Sequence, residues 1–245
     1  MNATASPRRA LVTGGSGDLG GAICQALATQ GWHVIVHAHA NGERARAVVE
    51  TIRAAGGHAE AVVFDVAVAD AAGAALETLL AAGPIHALVH NAGVHDDAPL
   101  AGMRAAQWHR VIDVSLHGFF HTVQPLLLPM ARARFGRVVA IGSVAAVLGN
   151  RGQANYAAAK AALHGAVKSL AREMGSRGIT ANVVAPGIIA GRMTAGLFTP
   201  EQVRALVPAG RVGTPQEVAA VVAFLCSDAA AYVNGQVIGV NGGMG

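Results

Sequence analysis

The stretch "ALVTGGSGDLGGAICQALATQGWHVIVH", residues 10–37, reads as strand, turn, helix and second strand in immediate succession. Ala10–Thr13 and His33–His37 are short, largely apolar runs of the length and composition of strands buried on both faces. Between them Leu19, Ile23 and Leu27 recur at helical spacing, which predicts a helix over Leu19–Gln30. Glycines crowd the turn that joins strand to helix, and Gly15, Gly17 and Gly20 match the spacing G-x-G-x-x-G. In this context the pattern has a mechanism: without side chains, backbone N–H groups and the helix N-terminus can approach a pyrophosphate. No Gly-Lys-Ser/Thr follows, which argues against a nucleotide-hydrolysing P-loop. Asp18 is the odd residue of the turn. An acid in a helix's first turn suits the helix dipole, so it is expected to start the helix with its carboxylate turned away from bound phosphates.

The same alternation runs through all 245 residues. Further strands are expected at Ala61–Asp65, Ala87–His90, Arg137–Ile141, Thr180–Ala185 and Gln236–Val240. Helices are expected at Glu43–Ala55, Ala69–Ala82, Arg104–Ala133, Ala154–Gly175 and Pro215–Ser227. Such alternation implies right-handed crossovers and an α/β fold, a doubly wound parallel sheet of about seven strands with helices on both faces. No repeat or linker divides it, so one domain over 1–245 is expected. The irregular stretch 186–208 reads as a mobile loop or helical lid over a site.

Composition sets limits. Apolar residues make up 53% of the chain and the mean hydropathy is +0.43, yet the longest uninterrupted apolar run, Val218 to Cys226, is far short of the roughly 20 residues that span a bilayer. No apolar leader precedes the first strand, so a cytoplasmic location is the expectation. Charged residues are only 13% and no Lys/Arg-rich run exists, which argues against a nucleic-acid surface. Cys24 and Cys226 lie in apolar helical patterns and read as core residues. His117 and His121 are four apart, without a Glu beside them or a third ligand at a metal-binding spacing, so no metal is expected.

The end of the second strand carries a cofactor signal. A NAD site usually places an acid there to bind the ribose 2′-hydroxyl. This chain has His37, Ala38, His39, Ala40 and Asn41 there, with Arg44 one turn into the next helix. No acid repels a 2′-phosphate and His39, Asn41 and Arg44 are able to bind one, so NADP(H) is the expected cofactor, with His37 among the residues expected to touch it.

The reacting groups are read from "IGSVAAVLGNRGQANYAAAKAAL", residues 141–163. Tyr156 and Lys160 share a helix face, and Ser143 ends the preceding strand. An ammonium beside a phenol favours the phenolate and brings its pKa down toward the working range, which makes the phenol a usable proton donor. A hydroxyl at the carboxyl edge of a parallel sheet can hold the carbonyl oxygen to be protonated. Gly142-Ser143-Val144-Ala145 is not a G-x-S-x-G elbow, which excludes the hydrolase reading.

Together with "NAG" at Asn91–Gly93 and "PG" at Pro186–Gly187, these residues resemble the short-chain dehydrogenase/reductase family over nearly the whole chain. Within it, "GQANYAAAKA", "SLAREMGSRGITANVVAPG" and "VNGGM" are similar to the 3-oxoacyl-acyl-carrier-protein reductases. The resemblance implies a Rossmann-type fold and NADPH-dependent reduction of a 3-oxoacyl thioester in fatty-acid or related polyketide or polyene synthesis. The alternative within the family is a reductase or dehydrogenase of a small free ketone, sugar or other alcohol. It implies Tyr156 as proton donor, Lys160 as the residue that tunes it and binds the nicotinamide ribose, and Ser143 as the substrate-orienting hydroxyl. Cofactor contacts are implied for Gly14, Ser16, Gly17, Asp18, Leu19 and Gly20 in the turn, and for Asp65 and Val66 beside the adenine. Asn91, Ala92, Gly93, Pro186, Gly187 and Ile188 complete that set. An acidic carrier protein would dock on Arg134 and Arg177, with Arg132, Arg137 and Arg172 able to extend the patch. A homotetramer is implied, built on the helices after strands four and five.

Three positions depart from the family pattern. Ser115 stands where an Asn usually helps hold a proton-relay water, and is expected to do so through a shorter arm. Gly191, followed by Arg192, replaces the Thr usual after the Pro-Gly turn. Asp18 replaces a glycine.

Overall fold

The computed structural model describes residues 7–245. The residues before these, on part of which the expectation of no leader rests, lie outside the described residues. Seven parallel strands form one sheet in the order β3-β2-β1-β4-β5-β6-β7. They are β1 Arg9–Thr13, β2 His33–Ala38, β3 His58–Val63, β4 Ala87–His90, β5 Gly136–Ile141, β6 Ile179–Pro186 and β7 Val237–Val240. Every adjacent pair is parallel, with Leu11 level with Ile35 on one side and with Leu88 on the other. The order reverses between β1 and β4, so a crevice opens at the carboxyl ends of those two strands, where open α/β sheets bind ligands.

Side chains alternate between two cores. Val12, Val36, Val89 and Val139 face α1 (Asp18–Thr29), α2 (Gly42–Ala54) and α9 (Pro215–Cys226). Leu11, Ile35, Leu88 and Val138 face α3 (Ala69–Ala81), α5 (Gly118–Ala133) and α7 (Ala154–Met174). Both faces are therefore covered, as the uniformly apolar strands require. Cys24 and Cys226 are free and buried in the first core. The shorter helices are α4 (Ala105–Ile112), α6 (Ala145–Leu148) and α8 (Pro200–Leu206).

Two expectations need correction. The third strand ends at Val63 rather than Asp65 and begins at His58; as the sheet edge it leaves alternate residues solvated, so His58 and Glu60 are tolerated where an apolar run was sought. The helix expected over Arg104–Ala133 is interrupted by a π-helical turn at Asp113–His117, which separates α4 from α5. The stretch 186–208, expected as a mobile loop or helical lid, includes a short helix, α8, started by Thr199 and Gln202 in a reciprocal cap with Pro200 at its first position.

Candidate active site

A cavity of about 1040 Å³ lies at the carboxyl ends of the central strands. Its wall is built first by the glycine turn. Gly14 adopts φ +63°, open to glycine, and a Cβ on Gly20 would collide with the Gly14 carbonyl oxygen. Gly17 precedes α1 without any side-chain cap on that helix, which leaves its first N–H groups for another acceptor. Asn91 locks the turn by donating to the carbonyl oxygens of Thr13 and Gly14, at 3.1 Å each. The Thr13 hydroxyl in turn accepts from the backbones of Asn91 and Ala92 at 3.0 Å, so the ends of β1 and β4 are tied together. Thr13 was not visible as a site residue, because it reads simply as the last residue of a strand.

Of the expected cofactor residues, Gly14, Ser16, Gly17, Asp18, Leu19, Gly20, His37, His39, Arg44, Asp65, Val66, Asn91, Ala92, Gly93, Tyr156, Lys160, Pro186 and Gly187 line the cavity. Two do not. Asn41 is spent as the cap of α2, its side chain accepting from the Arg44 backbone at 3.2 Å. Ile188 turns into a small apolar cluster with Val203 and Val207, and its neighbour Ile189 lines the cavity instead. His37 is present in a different capacity. Its Nδ1 accepts from Gly14 N at 3.0 Å and its Nε2 meets the Phe64 carbonyl at 2.8 Å, which fixes the neutral tautomer. Burial lowers its pKa to about 4, so it braces the turn and brings no positive charge to a phosphate. His39, 3.5 Å from Asp65, and Arg44 are the exposed groups at that end.

Ser143, Tyr156 and Lys160 come together in the same cavity, with Tyr156 hydrogen-bonded to Ser143 and the Lys160 ammonium near the Tyr156 ring. Asn155, fully buried, anchors this end of α7 by donating to the carbonyl oxygens of Asp96 at 3.0 Å and Gln107 at 3.1 Å. Its only mark in the sequence is its place beside Tyr156. Lys160 donates to the Ile141 carbonyl at 2.8 Å, and burial lowers its pKa to about 8. Its ammonium is 5.8 Å from the Tyr156 ring centre. The expected lowering of the phenol's pKa is not what the structure shows: burial raises it, with a hydrogen bond to Ser143 opposing. Ser115, in the π-helical turn, is fully buried and its hydroxyl has no hydrogen-bond partner among the described residues. It lies behind Gly93 rather than in the cavity wall, and a Cβ on Gly93 would come 3.0 Å from the Lys160 Nζ and 3.6 Å from the Ser115 hydroxyl.

Asp18 begins α1 as expected. It lines the cavity and grips Arg192 at 2.7 Å. His109, Arg110 and Asp113 also line the cavity; in the sequence they merge with an amphipathic helix pattern. Arg134 and Arg177 are exposed and near each other, Arg134 donating to the Ser176 carbonyl at 3.3 Å. Arg137 cannot join that patch. It is 3% exposed, with its guanidinium on the carbonyls of Gly136, Gly178 and Ser227 and against the Phe135 ring. Among the described residues no helix is long and apolar enough to cross a membrane, and no three His, Cys, Asp or Glu residues are grouped to hold a metal ion.

Residues 16–245 match a family model described as enoyl-(acyl carrier protein) reductase. Two similar proteins are named 3-oxoacyl-(acyl-carrier-protein) reductase FabG. The one from Staphylococcus aureus (strain Mu50) is 43% identical over 97% of this chain and 98% of its own. The one from Escherichia coli (strain K12) is 44% identical over 96% of each chain. The chain belongs to the short-chain dehydrogenase/reductase family. A solved structure provisionally assigned as a gluconate dehydrogenase, from Agrobacterium tumefaciens, has a TM-score of 0.92 at 35% identity and covers 97% of this chain and 95% of that one. As a short-chain dehydrogenase/reductase the chain is an oxidoreductase that acts on a ketone or hydroxyl group and uses a nicotinamide cofactor. The residues present fit that group: the glycine cradle, the uncapped start of α1 and the cavity volume are of the kind a dinucleotide needs.

Proposed function

We propose that this chain reduces the keto group of a 3-oxoacyl thioester carried on acyl-carrier protein to the 3-hydroxyacyl thioester, with NADPH as reductant, in fatty-acid or related synthesis. The observation that carries the reading is that Ser143, Tyr156 and Lys160 come together in the cavity that the glycine turn also lines. The relatives named 3-oxoacyl-(acyl-carrier-protein) reductase support the substrate class.

When bound, the nicotinamide supplies the hydride that goes to the keto carbon. The chain's residues manage the oxygen. Ser143 orients the carbonyl and Tyr156 donates a proton to its oxygen as charge develops there. Burial keeps the phenol protonated, the state a donor needs before the reaction. Lys160, held by Ile141 and packed against the Tyr156 ring, stabilises the phenolate left behind and holds the nicotinamide ribose. Ser115 places a second hydroxyl behind Gly93, where it can share a relay water with Lys160. His39 and Arg44 take the 2′-phosphate, Asp65 and Val66 the adenine, and Pro186 and Gly187 the nicotinamide side. The enzyme is proposed to be one cytoplasmic domain that assembles as a homotetramer, with residues 186–208 closing over the substrate.

Arg134 and Arg177 are assigned to carrier docking. Reversing both charges to Glu is expected to raise KM for the carrier-bound substrate about tenfold and to leave a small acetoacetyl thioester unaffected. Steady-state kinetics on the two substrates checks this; equal KM values for wild type and variant on the carrier would favour a small free ketone or alcohol.

A further inference from the structure

Asp18 and Arg192 are 174 positions apart in sequence and meet at the mouth of the cavity, which both line. One carboxylate oxygen accepts the Arg192 backbone N–H at 2.7 Å. The other accepts from Nε at 2.8 Å and lies 2.7 Å from Nη2. This is a side-on, charge-assisted contact with a third bond from the main chain, more specific than a chance surface pair. Gly191 permits the approach, since a Cβ there would stand 3.1 Å from the Asp18 carboxylate. Two departures from the family pattern, an acid in the glycine turn and Gly-Arg after the Pro-Gly turn, are therefore the two halves of one contact.

The acid stands where it does most harm to an anion. Asp18 is the first residue of α1, a helix whose start no side chain caps and whose positive end is the natural seat of a pyrophosphate. An unpaired carboxylate there would repel it. We propose that Arg192 is a cofactor-positioning residue: it neutralises Asp18, so that a dinucleotide's pyrophosphate can sit on the glycine turn. The inference rests on the dinucleotide reading of the cavity given above. It also makes the loop after β6 part of the cofactor site, because its arginine is the counter-ion for the turn.

Direct binding at low salt tests it, with NADPH fluorescence as one readout and calorimetry with 2′-AMP as the other. The second probe carries the adenosine and 2′-phosphate but no pyrophosphate. Arg192→Ala is expected to weaken NADPH about five- to tenfold, with the loss shrinking as salt is added, while 2′-AMP binds as to wild type. Asp18→Gly in the same background is expected to restore NADPH affinity, and Arg192→Lys to retain most of it. NADPH affinity within twofold of wild type in Arg192→Ala would overturn the proposal. So would an equal loss for both probes, which marks a merely structural role, or no recovery in the double variant. A wild-type chain that bound NADH and not NADPH would instead overturn the 2′-phosphate reading. The counter-ion inference would then be read on NADH, which carries the same pyrophosphate.

Discussion

Arg44 and His37 sit at the same end of the cavity and play opposite parts. The His37 ring is locked between Gly14 N and the Phe64 carbonyl and stays neutral, whereas Arg44 is exposed with its charge free to meet a 2′-phosphate. Arg44→Ala is therefore expected to raise KM for NADPH about tenfold and to leave KM for NADH unchanged, as paired initial-rate measurements would show. The residue types of this segment could be read directly, but not their division of labour. Which histidine is buried depends on Phe64, a residue of another strand's end. Asn41 shows a related limit: a residue suited to bind phosphate is equally suited to cap a helix, and here its side chain caps α2.

At the scale of elements, what holds the site in place is the set of helix starts and strand ends. The start of α9 is fixed by Thr214 and Glu217, each side chain accepting from the other's backbone, with Pro215 at the first position. Removing the cap by Thr214→Ala is expected to lower unfolding free energy by about 1 kcal/mol, measured by urea titration. The strand-turn-helix pattern around residues 10–37 made the sheet and its switch point legible, since period and turn chemistry agree there. The π-helical turn at Asp113–His117 left no such trace. It interrupts a continuous apolar period and packs against α4, α5 and α7, with the Ser115 carbonyl 3.1 Å from the His90 ring. The cavity residues His109, Arg110 and Asp113 are hidden in the same continuous helical pattern. The Asp18–Arg192 contact joins elements at opposite ends of the chain, so each half looked like an isolated anomaly.

For the whole molecule, the buried histidines set the response to acid. Burial holds His37 at about 4 and His90 at about 3, against an ordinary value of 6.5. As pH falls below 6.5 the unfolded chain takes up protons that the folded chain refuses, so stability is lost on acidification through this range. Each histidine contributes a slope of roughly 1.4 kcal/mol per pH unit. Between pH 6.5 and 4.5, before most carboxylates titrate, the two together are expected to remove roughly 4 kcal/mol. Unfolding free energies across that range check it, and a flat profile would contradict the buried, neutral assignment.

Tyr156 is proposed to deliver the proton that completes carbonyl reduction in this cavity. Following NADPH oxidation with an acetoacetyl thioester, for wild type and Tyr156→Phe, tests it most directly. The phenylalanine variant, which keeps the ring and loses only the hydroxyl, should fall at least about a hundredfold in kcat while still binding NADPH. Turnover within a few fold of wild type would contradict the mechanism.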